Sequence, residues 1–277
     1  MFRPSIFLLF ASLFLFCLSK TSAEDLPIFD AHIHYNQPDW SVYSPEKIFG
    51  FLDQAGVRWA LVSSTPDEGT LRIFERDPKR IIPILRPYRT QGDMGTWMKD
   101  SSILPYVEKK LERGVYRGIG EFHISVGEID SSNVVRGFAA LAAERGIFLY
   151  AHTDESGVEK LLRLKPQVRI LWAHAGMSAT PQRIGQLLGK YPTLSIETSI
   201  RRDIAPGGRL DPAWQDLFLR HSDRFLIGSD TYVTSRWESF MAIHTEYRSW
   251  LSRLSSGAAE KLAFKNALQL IDKPQLK

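Results

Sequence analysis

Eight apolar runs, each followed by a helix-like segment, succeed one another from Leu26 to the C-terminal region of this chain. The runs fall at residues 28–34, 57–63, 81–86, 116–122, 148–152, 168–174, 194–199 and 225–230. Between them lies helix punctuation. Ser44 stands as a cap before Pro45 for a helix over 45–55, Gly114 ends one over 102–113, and Gly146 ends one over 133–145. Further helices are predicted over 67–76, 157–164, 180–190, 212–221, 237–254 and 258–271. Such alternation calls for a parallel sheet, because parallel neighbours need a crossover of about a dozen residues or more. Eight units in about 250 residues predict a closed (β/α)8 TIM barrel, an α/β fold in a single domain. An open doubly wound sheet is the alternative, but no glycine fingerprint for a dinucleotide follows the first run.

Residues 1–23 read as a signal peptide preceding that barrel, which then occupies 24–277. Arg3 is followed by an apolar stretch over 6–18, too short for a comfortable membrane span, and Thr21 and Ala23 are the small residues of a cleavage site. The alternative is an uncleaved anchor. The expected location is exported, periplasmic or secreted. The only cysteine, Cys17, lies in the signal, so no disulfide holds the mature protein and its core must suffice. Losing Arg3 and Lys20 lowers the net charge from +4 to +2, which argues against nucleic acid as a partner. No later apolar run is long enough for a membrane span, so no stable membrane association is expected after cleavage.

Candidate metal ligands stand at the C-terminal ends of five runs. His32 and His34 end the first, in Asp30-Ala31-His32-Ile33-His34, where strand alternation puts both imidazoles on one face. Asp30, two residues before His32, is expected to face inward with them and support the site from beneath. Glu121 ends the fourth run, His152 the fifth, His174 the sixth and Asp230 the eighth. The intervals are 89, 31, 22 and 56 residues, whole numbers of units at about 30 residues each. All five ends therefore converge above the barrel axis, where a barrel keeps its active site. Imidazoles and carboxylates suit zinc, with other divalent metals as alternatives. A metal there lowers the pKa of a bound water, and a carboxylate such as Asp230 can take and return its proton. Each residue also has a structural reading. Glu121 could pair with a nearby arginine such as Arg117, Asp230 could cap the next helix, and His221 and His244 read as packing residues on helices.

Asp-x-His-x-His, then Gly-Glu-Phe-His at 120–123, Ala-His-Ala-Gly at 173–176 and the final Asp230 resemble the amidohydrolase superfamily, in its amidohydrolase-related branch. Asn266-Ala267 in the last helix resembles the closing helix of that branch. The resemblance implies that His32, His34 and Asp230 bind one zinc ion, with His152 or Glu121 completing the shell. It implies that His174 polarises the substrate or joins a second metal. Glu121 stands where many binuclear relatives carry a carboxylated lysine, so one ion is the first expectation and two the alternative.

The expected activity is metal-dependent hydrolysis of an ester, lactone or amide carbonyl by a metal-bound hydroxide, with Asp230 and His174 catalytic. A non-oxidative decarboxylase on the same fold is the first alternative, and a non-catalytic metal- or ligand-binding barrel the second. Arg86, Arg89, Arg201 and Arg202 follow the third and seventh runs and suggest a small, carboxylate-bearing substrate, because guanidinium groups bind carboxylates bidentately. His123 is a further candidate for substrate contact. The loops 90–101 and 201–211 are candidate lids, and Tyr88, Trp97 and Tyr232 candidate walls of the site.

Overall fold

The computed structural model describes residues 26–272. The expected signal peptide lies outside the described residues. Eight parallel strands pair in strict sequence order: β1 Ile28–Ile33, β2 Val57–Val62, β3 Ile81–Leu85, β4 Gly118–His123, β5 Phe148–His152, β6 Ile170–Trp172, β7 Leu194–Glu197 and β8 Phe225–Leu226. The helices between them are α1 Pro45–Gln54, α2 Glu68–Arg76, α3 Ile103–Leu111, a short α4 Val126–Ile129, α5 Asn133–Arg145, α6 Glu155–Leu164, α7 Pro181–Lys190 and α8 Pro212–Arg220, with α9 Phe240–Leu251, α10 Ser256–Glu260 and α11 Asn266–Asp272 after the last strand. Among the described residues no helix is long and apolar enough to cross a membrane.

Local chemistry sets the helix ends. The Ser44 side chain accepts from the Lys47 amide in front of Pro45, and Asp154 accepts from Gly157 at the start of α6. Gly146 ends α5 in the left-handed conformation that favours glycine. The expected long helix over 237–254 begins instead as a 3-10 turn, Thr234–Ser239, and the next is broken by a π-turn over Lys261–Lys265.

Two apolar layers hold the barrel. The larger lies between strands and helices. A smaller cluster of Phe29, Ala31, Leu61, Ile84, Tyr150 and Leu171 fills the barrel, and Ala267 and Leu270 of α11 close its N-terminal end. β1 departs from simple alternation here. Phe29 and Ala31 belong to the interior, whereas Asp30 lies 3.1 Å from His244 of the outer helix α9. The expectation that Asp30 faces the site is corrected: a register shift between Asp30 and Ile33 turns His32 inward after Ala31. Asp30 still supports the site, by accepting from the His32 and Ser229 amides at 3.0 Å each.

β8 ends at Leu226 rather than Asp230 because the seam to β1 is made largely without a regular ladder. Ala31 N–H donates to the Ile227 carbonyl at 2.8 Å and Asp230 N–H to the His32 carbonyl at 2.6 Å. The Thr231 hydroxyl accepts from the His34 amide at 2.8 Å and donates to the His34 carbonyl at 2.7 Å. Asp230 itself sits in the left-handed region, φ 52°, with its carbonyl gripped by Arg236 at 2.6 Å. Gly228 passes so close that an added Cβ would fall 2.6 Å from His32 Cβ and 2.8 Å from Glu197 Oε1. Gly228→Ala should therefore cost about 1–3 kcal/mol, the usual price of overpacking. Denaturant melts check this, and an unchanged midpoint would refute the crowding.

Candidate metal centre

The left-handed turn at Asp230 and the shift in β1 bring five strand ends together. His32 Nε2 and His34 Nε2 are 3.0 Å apart. Each lies 3.4 Å from Glu121 Oε2. Asp230 Oδ1 stands 3.5 Å from His32 Nε2 and 3.3 Å from His34 Nε2. The other Glu121 oxygen, Oε1, faces His152 Nδ1 at 2.9 Å and His174 Nε2 at 3.4 Å. Three groups of ligand atoms, each within 4.8 Å of one another, could hold a cation: His32, His34 and Glu121; His32, His174 and Asp230; Glu121, His152 and His174. The two groups that contain Glu121 divide its two oxygens between them.

The outer hydrogen bonds fix which nitrogens face the centre. His34 Nδ1 donates to the Ser63 carbonyl at 2.5 Å, and His32 Nδ1 to the Glu197 carboxylate at 2.9 Å. The Ser199 hydroxyl donates to Glu197 at 2.9 Å, so it accepts from His174 Nδ1 at 2.8 Å. In the neutral rings every Nε2 of the three therefore presents a lone pair. Two lone pairs at 3.0 Å repel unless something positive lies between them. Asp230 Oδ1 is buried with no hydrogen-bond partner and is aimed at the same point. Residues whose donor protons are all spoken for elsewhere, and whose free atoms are all Lewis bases, fit a divalent metal.

The same charges shift the titration of the bare site. Burial lowers the pKa of His32, but Asp230, Glu121 and Glu197 together push it well above the ordinary imidazole value. His174 is raised too, against burial, by its hydrogen bond to Glu121 and the charge of Glu197. Burial alone would raise Glu121; His32, His152 and His174 hold it well below the carboxylate range. His32 and His34 do the same for Asp230.

His123 sits at the edge of the centre, its ring 4.2 Å from that of His152. Tyr88 Oη accepts from the His123 amide at 2.7 Å and meets His123 Nδ1 at 3.1 Å; with the phenol proton on that nitrogen, Nε2–H is the ring's donor. Burial pushes the His123 pKa down to about 3, which keeps the ring neutral. A cavity of about 340 Å³ opens over the centre, with Asn36, Arg86, His123, Met177 and Tyr232 among its walls.

The four candidate arginines do not share a fate. Arg86 is buried on the cavity wall, donating to Glu121 Oε2 at 3.2 Å and to the Glu121 carbonyl at 3.1 Å; this, rather than Arg117, is the partner of that carboxylate. Arg89 is tied to Asp93, Asp100 and Ser102. Arg201 is bound to Asp203 and to the carbonyls of Ala175 and Ala179. Arg202 is exposed and is not among the cavity's lining residues. Tyr232 lines the cavity half-exposed, while Trp97 and Tyr88 are buried behind His123.

Sequence reasoning missed Glu197 at the end of β7. It is fully buried and gathers His32 Nδ1, the Ser199 hydroxyl and, at 3.3 Å, the Tyr150 hydroxyl. Its signal was available: a carboxylate at the end of an apolar strand, in the place where the other strands carry ligands.

No protein-family model matches the chain, and no curated protein matches it by sequence. Solved structures do match. A protein of Pseudomonas putida designated a 2-pyrone-4,6-dicarboxylic acid hydrolase superposes with a TM-score of 0.63 at 14% identity, over 89% of this chain and 97% of its own. The phosphotriesterase homology protein of Escherichia coli, with phosphate in its active site, gives 0.63 at 13%, over 91% and 100%. A Staphylococcus aureus protein designated an amidohydrolase gives 0.59 at 12%, over 90% and 100%. The fold is that of the amidohydrolase-type barrels.

The raised imidazoles dictate a pH test. A group whose folded pKa exceeds its unfolded value stabilises fully below the unfolded value, about 6.5 for histidine, and loses that contribution as pH rises through the folded one. His32 and His174 are such groups. Metal-stripped protein should therefore melt at lower temperature as pH is raised above about 6.5. Zinc at pH 8 should remove the decline, because cation and protons compete for the same lone pairs. A flat alkaline limb in metal-stripped protein would contradict the electrostatics described.

Proposed function

We propose that this chain is a metal-dependent hydrolase of the amidohydrolase superfamily, exported through its first 23 residues, that cleaves an ester, lactone or amide carbonyl of a small molecule. The observation that carries the reading is the pair of ligand groups sharing Glu121, with every outward ring nitrogen of His32, His34 and His174 already committed. Zinc suits the nitrogen and oxygen donors. His32, His34, Glu121 and Asp230 would hold one ion, and Glu121, His152 and His174 a second. Two ions are proposed, in place of the one that the sequence favoured, because Glu121 offers one oxygen to each group. A cation held there supplies Lewis acidity, lowering the pKa of water and polarising a carbonyl.

The chain's own residues supply the remainder. Asp230, at the cavity wall, would hold the ion through Oδ1, and its other oxygen, Oδ2, takes a proton from the attacking water and returns it to the leaving group. His123 offers Nε2–H to a substrate oxygen and stays neutral while doing so. Arg86 fixes the Glu121 carboxylate from behind, and Glu197 fixes the tautomer of His32 and, through Ser199, that of His174.

Elemental analysis of the purified protein should find about two equivalents of zinc, and His152→Ala should lose about one of them. Turnover in labelled water should place solvent oxygen in the product. Release of carbon dioxide without that label would overturn hydrolysis in favour of decarboxylation. Asp230→Asn should lower kcat by about 10²- to 10⁴-fold, the usual worth of a positioned acid–base. Full activity in that variant would remove Asp230 from the proton path.

A further inference from the structure

A second chamber, a broad depression of about 510 Å³ open to solvent, adjoins the cavity over the metal centre and shares Met94, His123, His152 and Met177 with it. Its outer wall adds Met98 and Ile124. The two acidic groups there are engaged: Glu128 accepts from Ser125 at 2.8 Å, and Asp154 accepts from Gly157 at 2.7 Å. No arginine or lysine lines this chamber.

Met177 divides the two chambers, and its position is enforced. Four successive residues, His174, Ala175, Gly176 and Met177, have φ of 53°, 47°, 68° and 64°, a left-handed turn that three of them adopt at a cost. Gly176 lies where an added Cβ would meet the Trp172 ring at 2.1 Å. Arg201 clamps the turn by donating to the Ala175 and Ala179 carbonyls at 3.0 and 2.9 Å, and is itself held by Asp203 and laid on the Trp214 ring. Met177, which it positions, is 48% exposed and lines the cavity over the metal centre. Two large apolar side chains left exposed, Met177 and Tyr232, stand in loops after β6 and β8 on the wall of the cavity. Exposed apolar groups gathered at a cavity mark a binding surface.

We propose that the outer chamber receives a neutral, apolar tail of the substrate, which runs from the carbonyl at the metal centre past Met177 towards Met98 and Ile124. This rests on the hydrolase reading of the same site for the place of the carbonyl. It replaces the carboxylate-bearing substrate suggested by the sequence, since Arg89 and Arg201 are consumed by structural pairs and Glu128 and Asp154 would repel an anionic tail.

The test is calorimetric titration of the zinc-loaded full chain with methyl ketones from 2-pentanone to 2-undecanone, which carry the carbonyl but cannot be hydrolysed. Affinity should rise about three- to fourfold for each methylene until the chamber is filled. Met177→Asp and Met94→Asp should each flatten that series, and 9-oxodecanoate should bind more weakly than 2-decanone. A flat series in the native protein, a slope unchanged in both variants, or tighter binding of the carboxylate would overturn the proposal. Turnover of p-nitrophenyl acetate and octanoate separates the two readings. A rising ketone series without turnover of these esters, or of a lactone and an amide of the same chain length, sinks the hydrolase and leaves the tail site standing, whereas turnover with a flat ketone series does the reverse.

Discussion

Four buried carboxylates, Asp30, Glu121, Glu197 and Asp230, form or brace the centre of this barrel. Among the described residues a single arginine, Arg86, pairs with any of them. Unpaired buried charge is among the most costly things a fold can contain, and its removal from water is repaid only by close positive partners. The imidazoles of His32, His152 and His174 around Glu121, and of His244 beside Asp30, are therefore a necessity of the electrostatics rather than an ornament of it. Either His32 and His174 take up protons or a cation replaces those protons. A proton on His32 lets its Nε2 donate to His34 Nε2 at 3.0 Å but leaves Asp230 Oδ1 without a partner; a cation satisfies both rings and that oxygen at once.

That requirement is tied to barrel closure. The β1–β8 seam uses the backbone of His32, His34 and Asp230 together with the side chains of Asp30 and Thr231. A parallel ladder of six or seven residues would hold the seam without help from side chains, but it would leave no room for Asp230 to turn left-handed and aim its carboxylate at the histidines. Regular closure has been exchanged for a shaped centre. Ligand loading should consequently report on the whole barrel, because the groups that bind and the groups that close are the same residues.

The positions of the candidate ligands were legible because residue type and strand-end placement are both properties of the linear sequence: an imidazole or carboxylate closing an apolar run needs no tertiary knowledge to be noticed. What escaped is set by geometry that no period encodes. The register shift in β1 sends Asp30 to α9 and keeps His32 inside, against strict alternation. Glu197 carries no motif, and its role depends on where Ser199 and His174 fall. The arginines looked like anion ligands because a sequence shows charge without showing which charges are already matched; Arg89 finds Asp93 four residues away and Arg201 finds Asp203 two residues away. β6 ends at Trp172 rather than at His174 because Ala175 to Met177 continue a left-handed turn, which a chain rich in L-residues gives no local reason to expect.

The two segments read as candidate lids are each anchored by buried contacts. In 90–101, Asp93 and Asp100 share Arg89, while Trp97 is buried, stacked 5.3 Å from Phe138 and donating its indole N–H to the His123 carbonyl. In 201–211, Arg201 and Asp203 are locked together and Asp203 also accepts from the Trp214 indole at 3.0 Å. Opening either would strip buried aromatic surface and break charge-assisted bonds simultaneously. With those anchors in place the cavity is formed before a substrate enters, and its shape selects by differential contact. On the cavity wall itself, the contact offered by these segments and by the turn that Arg201 clamps is the apolar one of Met94 and Met177.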